Sequence, residues 1–348
     1  MIIEIDGKVI GRRYPPYTIA EVGLNHNGKF SMAYQMISVA KAVGADAVKF
    51  QTYKTDEFCN KDSSLYQTFK ECEIKDYQWK ELKKRCDELK ITFLSTPQNL
   101  SDLKILLNLG VKAIKIGSDD LNNFPLISQY AKTKLPIILS CGMAYESEIE
   151  GAIHTITKDK TDYPIILMHC TSLYPTGATD VNIRKLNTIA KMYPACIAGY
   201  SDHTIGHDAA IMAVALGAKV FETHFTLDNE MPGPDHKFSK NPEALRKWTK
   251  AIRQAHVMLG RPELKPTERE HDMRKIARRS LTALEDIEKD ERFTNQNIGL
   301  RRPGKGIPPA YLSTYIGAVA SRKIYAGEQL QRDDIIHSRE KEEQGNGI

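Results

Sequence analysis

The chain has 348 residues, with 49 Lys and Arg against 44 Asp and Glu, and a net charge of +5 is too diffuse for a nucleic-acid footprint. At 41% hydrophobic and 27% charged residues the composition is that of an ordinary globular protein, neither disordered nor fibrous. No run approaches the roughly 18 apolar residues of a membrane-spanning helix, and the first ten residues, MIIEIDGKVI, lack the basic start and apolar stretch of a secretory leader. The six cysteines (Cys59, Cys72, Cys86, Cys141, Cys170 and Cys196) form no CxxC pair. Several fall inside apolar patterns, as free thiols do in a reducing compartment. A cytoplasmic enzyme handling anionic metabolites is expected, with no membrane and no nucleic-acid partner.

From residue 17 to 260, short apolar runs alternate with helix-period segments. The expected strands are Tyr17–Glu21, Ala47–Gln51, Thr92–Thr96, Ala113–Gly117, Pro136–Ser140, Ile165–His169, Cys196–Tyr200 and Val220–His224. Near-continuous apolar runs of this kind belong to parallel strands buried on both faces. Trp79, Leu82, Cys86 and Leu89, and again Leu245, Trp248, Ile252, Ala255 and Leu259, recur at steps of three and four, as on amphipathic helices. Asn241-Pro242 caps and opens the last of these, and Gly260 ends it.

An internal repeat supports the alternation. AVGADAVKF (42–50), NLGVKAIKI (108–116) and ALGAKVFET (215–223) each pass from helix end through Gly to a buried strand. They place Lys49, Lys115 and Glu222 at equivalent positions. Eight such units predict a (β/α)8 TIM barrel; the glycine-rich phosphate loop of a doubly wound sheet is absent after the first strand. Beyond Gly260 the residues 261–280 are charged and proline-punctuated, and short strand-like pieces with turn signals follow. The expected organisation is a barrel over 1–262, a linker over 263–278, a small mostly-β domain over 279–338 and a disordered tail over 339–348. The basic run Arg274–Arg279 reads as a solvated helix face or interdomain contact, and residues 54–76 read as a long loop.

In such barrels chemistry occurs at the C-terminal strand ends, and polar residues gather there. Strand one ends at Glu21, strand two at Lys49 and Gln51, strand three at Ser95-Thr96, and strand four at Lys115 with Ser118 and Asp120 just beyond. Strand five ends at Ser140, strand six at His169 before Ser172 and Tyr174, and strand seven at Asp202-His203. Strand eight carries Glu222 and His224, followed by Asp235. Two lysines inside apolar runs of a closed barrel are costly unless paired. Converging on one mouth, they point to a phosphate or carboxylate ligand, with Ser95, Ser118 and Ser140 as hydroxyl donors. His203 and His224 end consecutive strands, and two imidazoles with oxygen ligands suit Mn²⁺ or Zn²⁺ with positions left for water or substrate.

These motifs resemble the sialic acid synthase family. The likeness runs in order through Glu21–Gly28 (EVGLNHNG), Val48–Gln51, Phe93–Pro97, Lys115–Ser118, Leu139–Met143, His169–Pro175, Ser201–Thr204, Glu222–Thr226 and Gly233–Lys237. Leu300–Gly306 (LRRPGKG) is similar to that family's antifreeze-like domain. The resemblance implies a metal-dependent condensation of phosphoenolpyruvate with N-acetylmannosamine or a related 2-acetamido or 2,4-diacetamido hexose, giving a nonulosonic acid and phosphate. It implies that Lys49, Lys115, Ser118 and Ser140 hold phosphoenolpyruvate. His203 and His224 then bind Mn²⁺, with Mg²⁺ or Co²⁺ as substitutes. Glu21, Gln51, Tyr174 and Asp235 contact or orient the sugar and the attacking carbon. It further implies a homodimer in which the antifreeze-like domain caps the partner's site and Arg302 meets the sugar's acyl group. Two departures lie by the sugar: Asp119-Asp120 where many members have Gly-Glu, and Ser172-Leu173 where Asn-Ile is common. They imply a differently substituted hexosamine, as in legionaminic-type synthases. The alternative is a metal-dependent barrel aldolase or isomerase acting on a sugar phosphate; a non-catalytic carbohydrate- or ice-binding protein leaves the filled strand ends without a purpose.

Overall fold

The computed structural model describes residues 1–336, in two units divided after Gly260. Asp6 and Gly7 take left-handed backbone, with φ of 53° and 74°, and turn strand β1 (Ile2–Ile5) back onto β2 (Lys8–Gly11). An Asp-Gly pair between alternating apolar residues favours such a hairpin because its twist matches that of the strands. The sequence reading passed over this element.

Eight parallel strands follow: β3 (Tyr17–Glu21), β4 (Ala47–Thr52), β5 (Thr92–Pro97), β6 (Ile114–Ile116), β7 (Ile137–Ser140), β8 (Ile165–Cys170), β9 (Ile197–Asp202) and β10 (Val220–His224). Their order in the sheet is β5-β4-β3-β10-β9-β8-β7-β6, and β5 and β6 lie alongside each other. The result is the expected TIM-like barrel, nearly closed. Each strand agrees with the apolar run that predicted it to within a residue or two at either end.

Because successive side chains alternate across a strand, each strand serves two layers. One set of side chains packs outward on the helices, where Phe50 and Phe93 stack with ring centroids 5.7 Å apart and Trp79 meets Phe50 edge-on. The other set faces inward. Ile19, Ala47, Leu94, Ile138, Ile166, Met168 and Val220 form the inner core, joined by Ile3, Ile5 and Ile10 of the hairpin. The hairpin therefore plugs the N-terminal end of the barrel with apolar side chains.

Residues 54–76 depart from the loop expectation. They contain helices Thr55–Phe58 and Tyr66–Cys72, and their polar groups bond mainly to one another: Tyr66 Oη to Asp56 at 2.5 Å, Lys70 Nζ to Asp56 at 2.9 Å and to Glu73 at 3.3 Å, and the Thr55 amide to Glu73 at 2.9 Å. Gly28, with φ +68°, fits beneath this segment because a Cβ there would run into the Glu71 carbonyl oxygen.

In the second unit the expected linker contains a helix, Glu268–Ala277, capped by Thr267 and with no buried residue. Beyond it β11 (Ser280–Ala283) pairs antiparallel with β12 (Ile298–Arg301). Short bridges such as Ile287–Ile324 and Ala320–Ile335 complete a small β domain over a core of Leu281, Phe293, Ile298, Ile324 and Leu330. The expected tail, 339–348, lies outside the described residues.

Gly28→Ala adds both a clash and a disfavoured dihedral, and should cost about 1–3 kcal/mol of stability. It should also open residues 54–76 to limited proteolysis. An unchanged cleavage pattern would show that Glu71 gives way freely.

Candidate active site

Above the apolar plug, the same inward-facing positions turn from apolar to charged. On β3 the inward series Tyr17, Ile19 ends in Glu21; on β4 Ala47 is followed by Lys49 and Gln51; on β10 Val220 is followed by Glu222 and His224. Lys115 occupies the corresponding place on β6. All four charged groups are buried. Lys49 Nζ lies 3.1 Å from Glu21 Oε2 and 3.4 Å from Glu222 Oε1; Lys115 Nζ lies 3.9 Å from the same Glu222 oxygen. Lys115 also donates to Ser140 Oγ at 2.9 Å and to the Ile116 carbonyl at 3.0 Å. Two cations and two anions thus neutralise one another inside the barrel.

Their protonation follows from the distances. Burial pulls Lys49 down, but Glu21 and Glu222 outweigh it and hold its pKa above the ordinary lysine value. Lys115 is pushed below that value by burial, which its more distant contact with Glu222 does not offset. Burial raises Glu21 despite Lys49. It also acts on Glu222, but there Lys115 and Lys49 prevail and keep the carboxyl below its usual range.

These groups form the floor of a cavity of about 400 Å³ at the C-terminal strand ends. Gln51, Ser118, Ser140, Ser172, Tyr174, His203, His224 and Asp235 also line it. The two histidine rings lie 5.4 Å apart at 65° to each other, with the Tyr174 ring 4.2 Å from His203. His203 Nδ1 sits 2.8 Å from the Thr171 carbonyl; it can bond there only as a donor, which leaves Nε2 with its lone pair free. His224 Nδ1 is buried without a hydrogen-bond partner, 3.5 Å from Asp235 Oδ2. Among the described residues no three His, Cys, Asp or Glu gather round one point. A divalent ion held here would take two imidazole nitrogens from the protein and the rest of its ligands from water and substrate.

Two of the expected residues, Ser95 and Asp120, do not line this cavity. Ser95 faces outward, level with Phe50, and its hydroxyl pairs with Thr52 Oγ1 at 2.7 Å; the inward position next to it is Thr96, which lies 3.4 Å from Lys49 Nζ. Asp120 is tied into its own turn by Asn123 at 3.0 Å, and Asp119 lines the cavity instead. Arg302 is exposed in the turn after β12, in the second unit. Residues to which the sequence assigned no role also line the cavity: Cys170, Ser201 and Met143, which lie within the motifs, and Phe58, Leu65, Thr68 and Phe69 from the segment expected to be a loop. Strict alternation counted from Lys49 and Glu222 would have found Thr96 and Ser201. Burial raises the Cys170 thiol, but its hydrogen bond to His203 outweighs it and holds the pKa below the ordinary value.

Residues 36–263 match the NeuB family, and residues 278–336 match the SAF domain. The chain is 37% identical over 337 residues to the N,N'-diacetyllegionaminic acid synthase of Legionella pneumophila, spanning 92% of this chain and 94% of that protein. It is 34% identical over 334 residues to a pseudaminic acid synthase of Campylobacter jejuni, spanning 92% and 96%. The crystal structure of an N-acetylneuraminic acid synthetase from Leptospira borgpetersenii superposes with a TM-score of 0.74 at 34% identity, spanning 78% of this chain and 95% of that one.

Lys49→Met should destabilise the protein by about 3–5 kcal/mol, the usual cost of leaving a buried charge without its partner. Adding Glu21→Gln to the same chain should return part of that loss, measured as a coupling energy by chemical denaturation. Additive effects would mean that the two groups do not neutralise each other.

Proposed function

The chain belongs to the NeuB family and carries a SAF domain, and from that premise we propose that it condenses phosphoenolpyruvate with an N-acetylated hexosamine and water, giving a nonulosonic acid and phosphate. N-acetylmannosamine and 2,4-diacetamido hexoses are the acceptor class. The observation that carries this reading is the pair of buried lysines at a cavity floor beside two imidazoles.

Lys49, Lys115 and the hydroxyls of Ser140 and Ser118 bind the phosphate and carboxylate of phosphoenolpyruvate. Glu21 and Glu222 neutralise the lysines while the site is empty and release them to the incoming anion, so the floor is preorganised rather than built on binding. His203 and His224 hold the divalent ion, Mn²⁺ first among candidates, which when bound supplies Lewis-acid polarisation of the open-chain aldehyde. Gln51, Tyr174 and Asp235 orient the sugar so that its aldehyde carbon faces the enol carbon. The enol carbon forms the new carbon–carbon bond, water adds at the neighbouring carbon that carries the phosphate ester, and the tetrahedral intermediate expels phosphate. Glu21, its carboxyl raised by burial, serves as general base towards that water or as electrostatic partner of Lys49. A homodimer with the SAF domain over the partner's site, and Arg302 at the acyl group, is part of the same proposal; an active monomer by light scattering would remove it.

The direct test is phosphate release from phosphoenolpyruvate that depends on an acetamido hexose, with the product identified by mass. Lys115→Ala should raise the KM for phosphoenolpyruvate by roughly 10- to 150-fold, the worth of a charge-assisted contact. Equal losses for both substrates would indicate a general structural role. Chelation should abolish turnover and Mn²⁺ should restore it, and His203→Ala should cut kcat by orders of magnitude. Full activity in thoroughly demetallated protein would reject the metal.

A further inference from the structure

The cavity is unevenly lined. Its floor carries the ion quartet, the serines and the histidines, whereas the segment between β4 and the helix Asp76–Leu89 brings in Phe58, Leu65 and Phe69, which join Leu24. Thr68 is the only polar side chain that this segment contributes to the lining; Asp56, Tyr66, Lys70 and Glu73 are spent on the internal contacts described above. The apolar wall is also built to hold its shape. Phe58 and Phe69 pack edge to face with centroids 5.0 Å apart, and Tyr53 lies 5.7 Å from Phe58 and 5.5 Å from Phe69. Tyr53 Oη fixes the Phe69 carbonyl at 3.2 Å, and Leu24, Tyr53 and Cys72 form the buried base of the cluster. Leu65 stands at the mouth of the cavity with half its surface, 52%, uncovered.

A fully hydroxylated hexose gains nothing from such a wall. A hydroxyl pressed against it gives up water without a new partner, whereas a methyl group is favoured by the same contact. Resting on the reading of this site as a nonulosonic acid synthase, we propose that Phe58, Leu65 and Phe69 are specificity-determining residues. They receive a methyl group that the acceptor carries in addition to its C2 acetamido group, either a 6-deoxy carbon or a second acetamido. N-acetylmannosamine, which has neither, is then the poorer acceptor.

The test measures kcat/KM with phosphoenolpyruvate saturating and four acceptors: N-acetylmannosamine, its 6-deoxy analogue, 2,4-diacetamido-2,4-dideoxymannose and 2,4-diacetamido-2,4,6-trideoxymannose. The wild-type protein should prefer the acceptors bearing the extra methyl by roughly 10-fold or more, the usual worth of one methyl in an apolar pocket. The two singly altered sugars identify which methyl the wall holds. Leu65→Asn, at a half-exposed position that the fold tolerates, should bring the preference ratio towards one, and Leu65→Met should retain it. Turnover without preference, or an equal loss on all four sugars in Leu65→Asn, overturns this inference alone. Failure to consume phosphoenolpyruvate with any of the four overturns the assigned reaction and this inference with it.

Discussion

Four charges inside a barrel must cancel, and the rest of the site depends on that constraint. Separated from water, Lys49, Lys115, Glu21 and Glu222 each bear a desolvation cost of several kcal/mol, which their mutual contacts at 3.1, 3.4 and 3.9 Å and hydrogen bonds such as Lys115 to Ser140 offset. The geometry that makes them cancel also sets their inequality. Lys49 has two carboxylates within reach and stays firmly charged, while Lys115 shares one more distantly and leans on the hydroxyl of Ser140. In the proposed reaction an incoming anion meets one ammonium already committed to two carboxylates and another more weakly paired.

Most of the barrel was legible in the sequence because burial on both faces leaves little freedom: each strand had to be apolar nearly throughout, and the Gly-to-strand repeat marked where three of them begin. The inward charges were legible for the same reason, since Lys49, Lys115 and Glu222 interrupt otherwise apolar runs. Which of two adjacent polar residues faces inward was harder. At Ser95-Thr96 both are hydrogen-bonding residues of similar size, and only the register with β4, which sets Thr96 level with Gln51, decides between them. Asp119 and Asp120 pose the same ambiguity beyond the end of β6, where alternation no longer applies and the turn conformation chooses.

The apolar wall was not legible. Phe58 and Phe69 lie on two short helices and Leu65 in the turn before the second, and the two rings are brought together by contacts with Tyr53 and Leu24 that no local pattern announces. The hairpin at the N-terminus was missed for a different reason: its Asp6-Gly7 turn and alternating isoleucines carry a clear signal, but one that concerns closure of the barrel rather than chemistry. Its effect is to make the charged layer a floor. With Ile3, Ile5 and Ile10 packed beneath, the ion quartet is dry on its lower side.

The segment between β4 and the helix Asp76–Leu89 satisfies most of its polar groups within itself and rests on the barrel through a small number of points: Tyr53 and Leu24 beneath the rings, Gly28 beneath Glu71, and Ser101 bonded to Glu57 at 2.6 Å. None of these points belongs to the ion quartet or to the histidine pair. It behaves as a detachable cassette: its rim residues can vary while the charge balance of the floor and the hydrogen bond that orients His203 remain as they are. Under the proposed assignment, a barrel so constructed keeps acceptor choice, at some twenty residues of rim, apart from the donor chemistry of the floor.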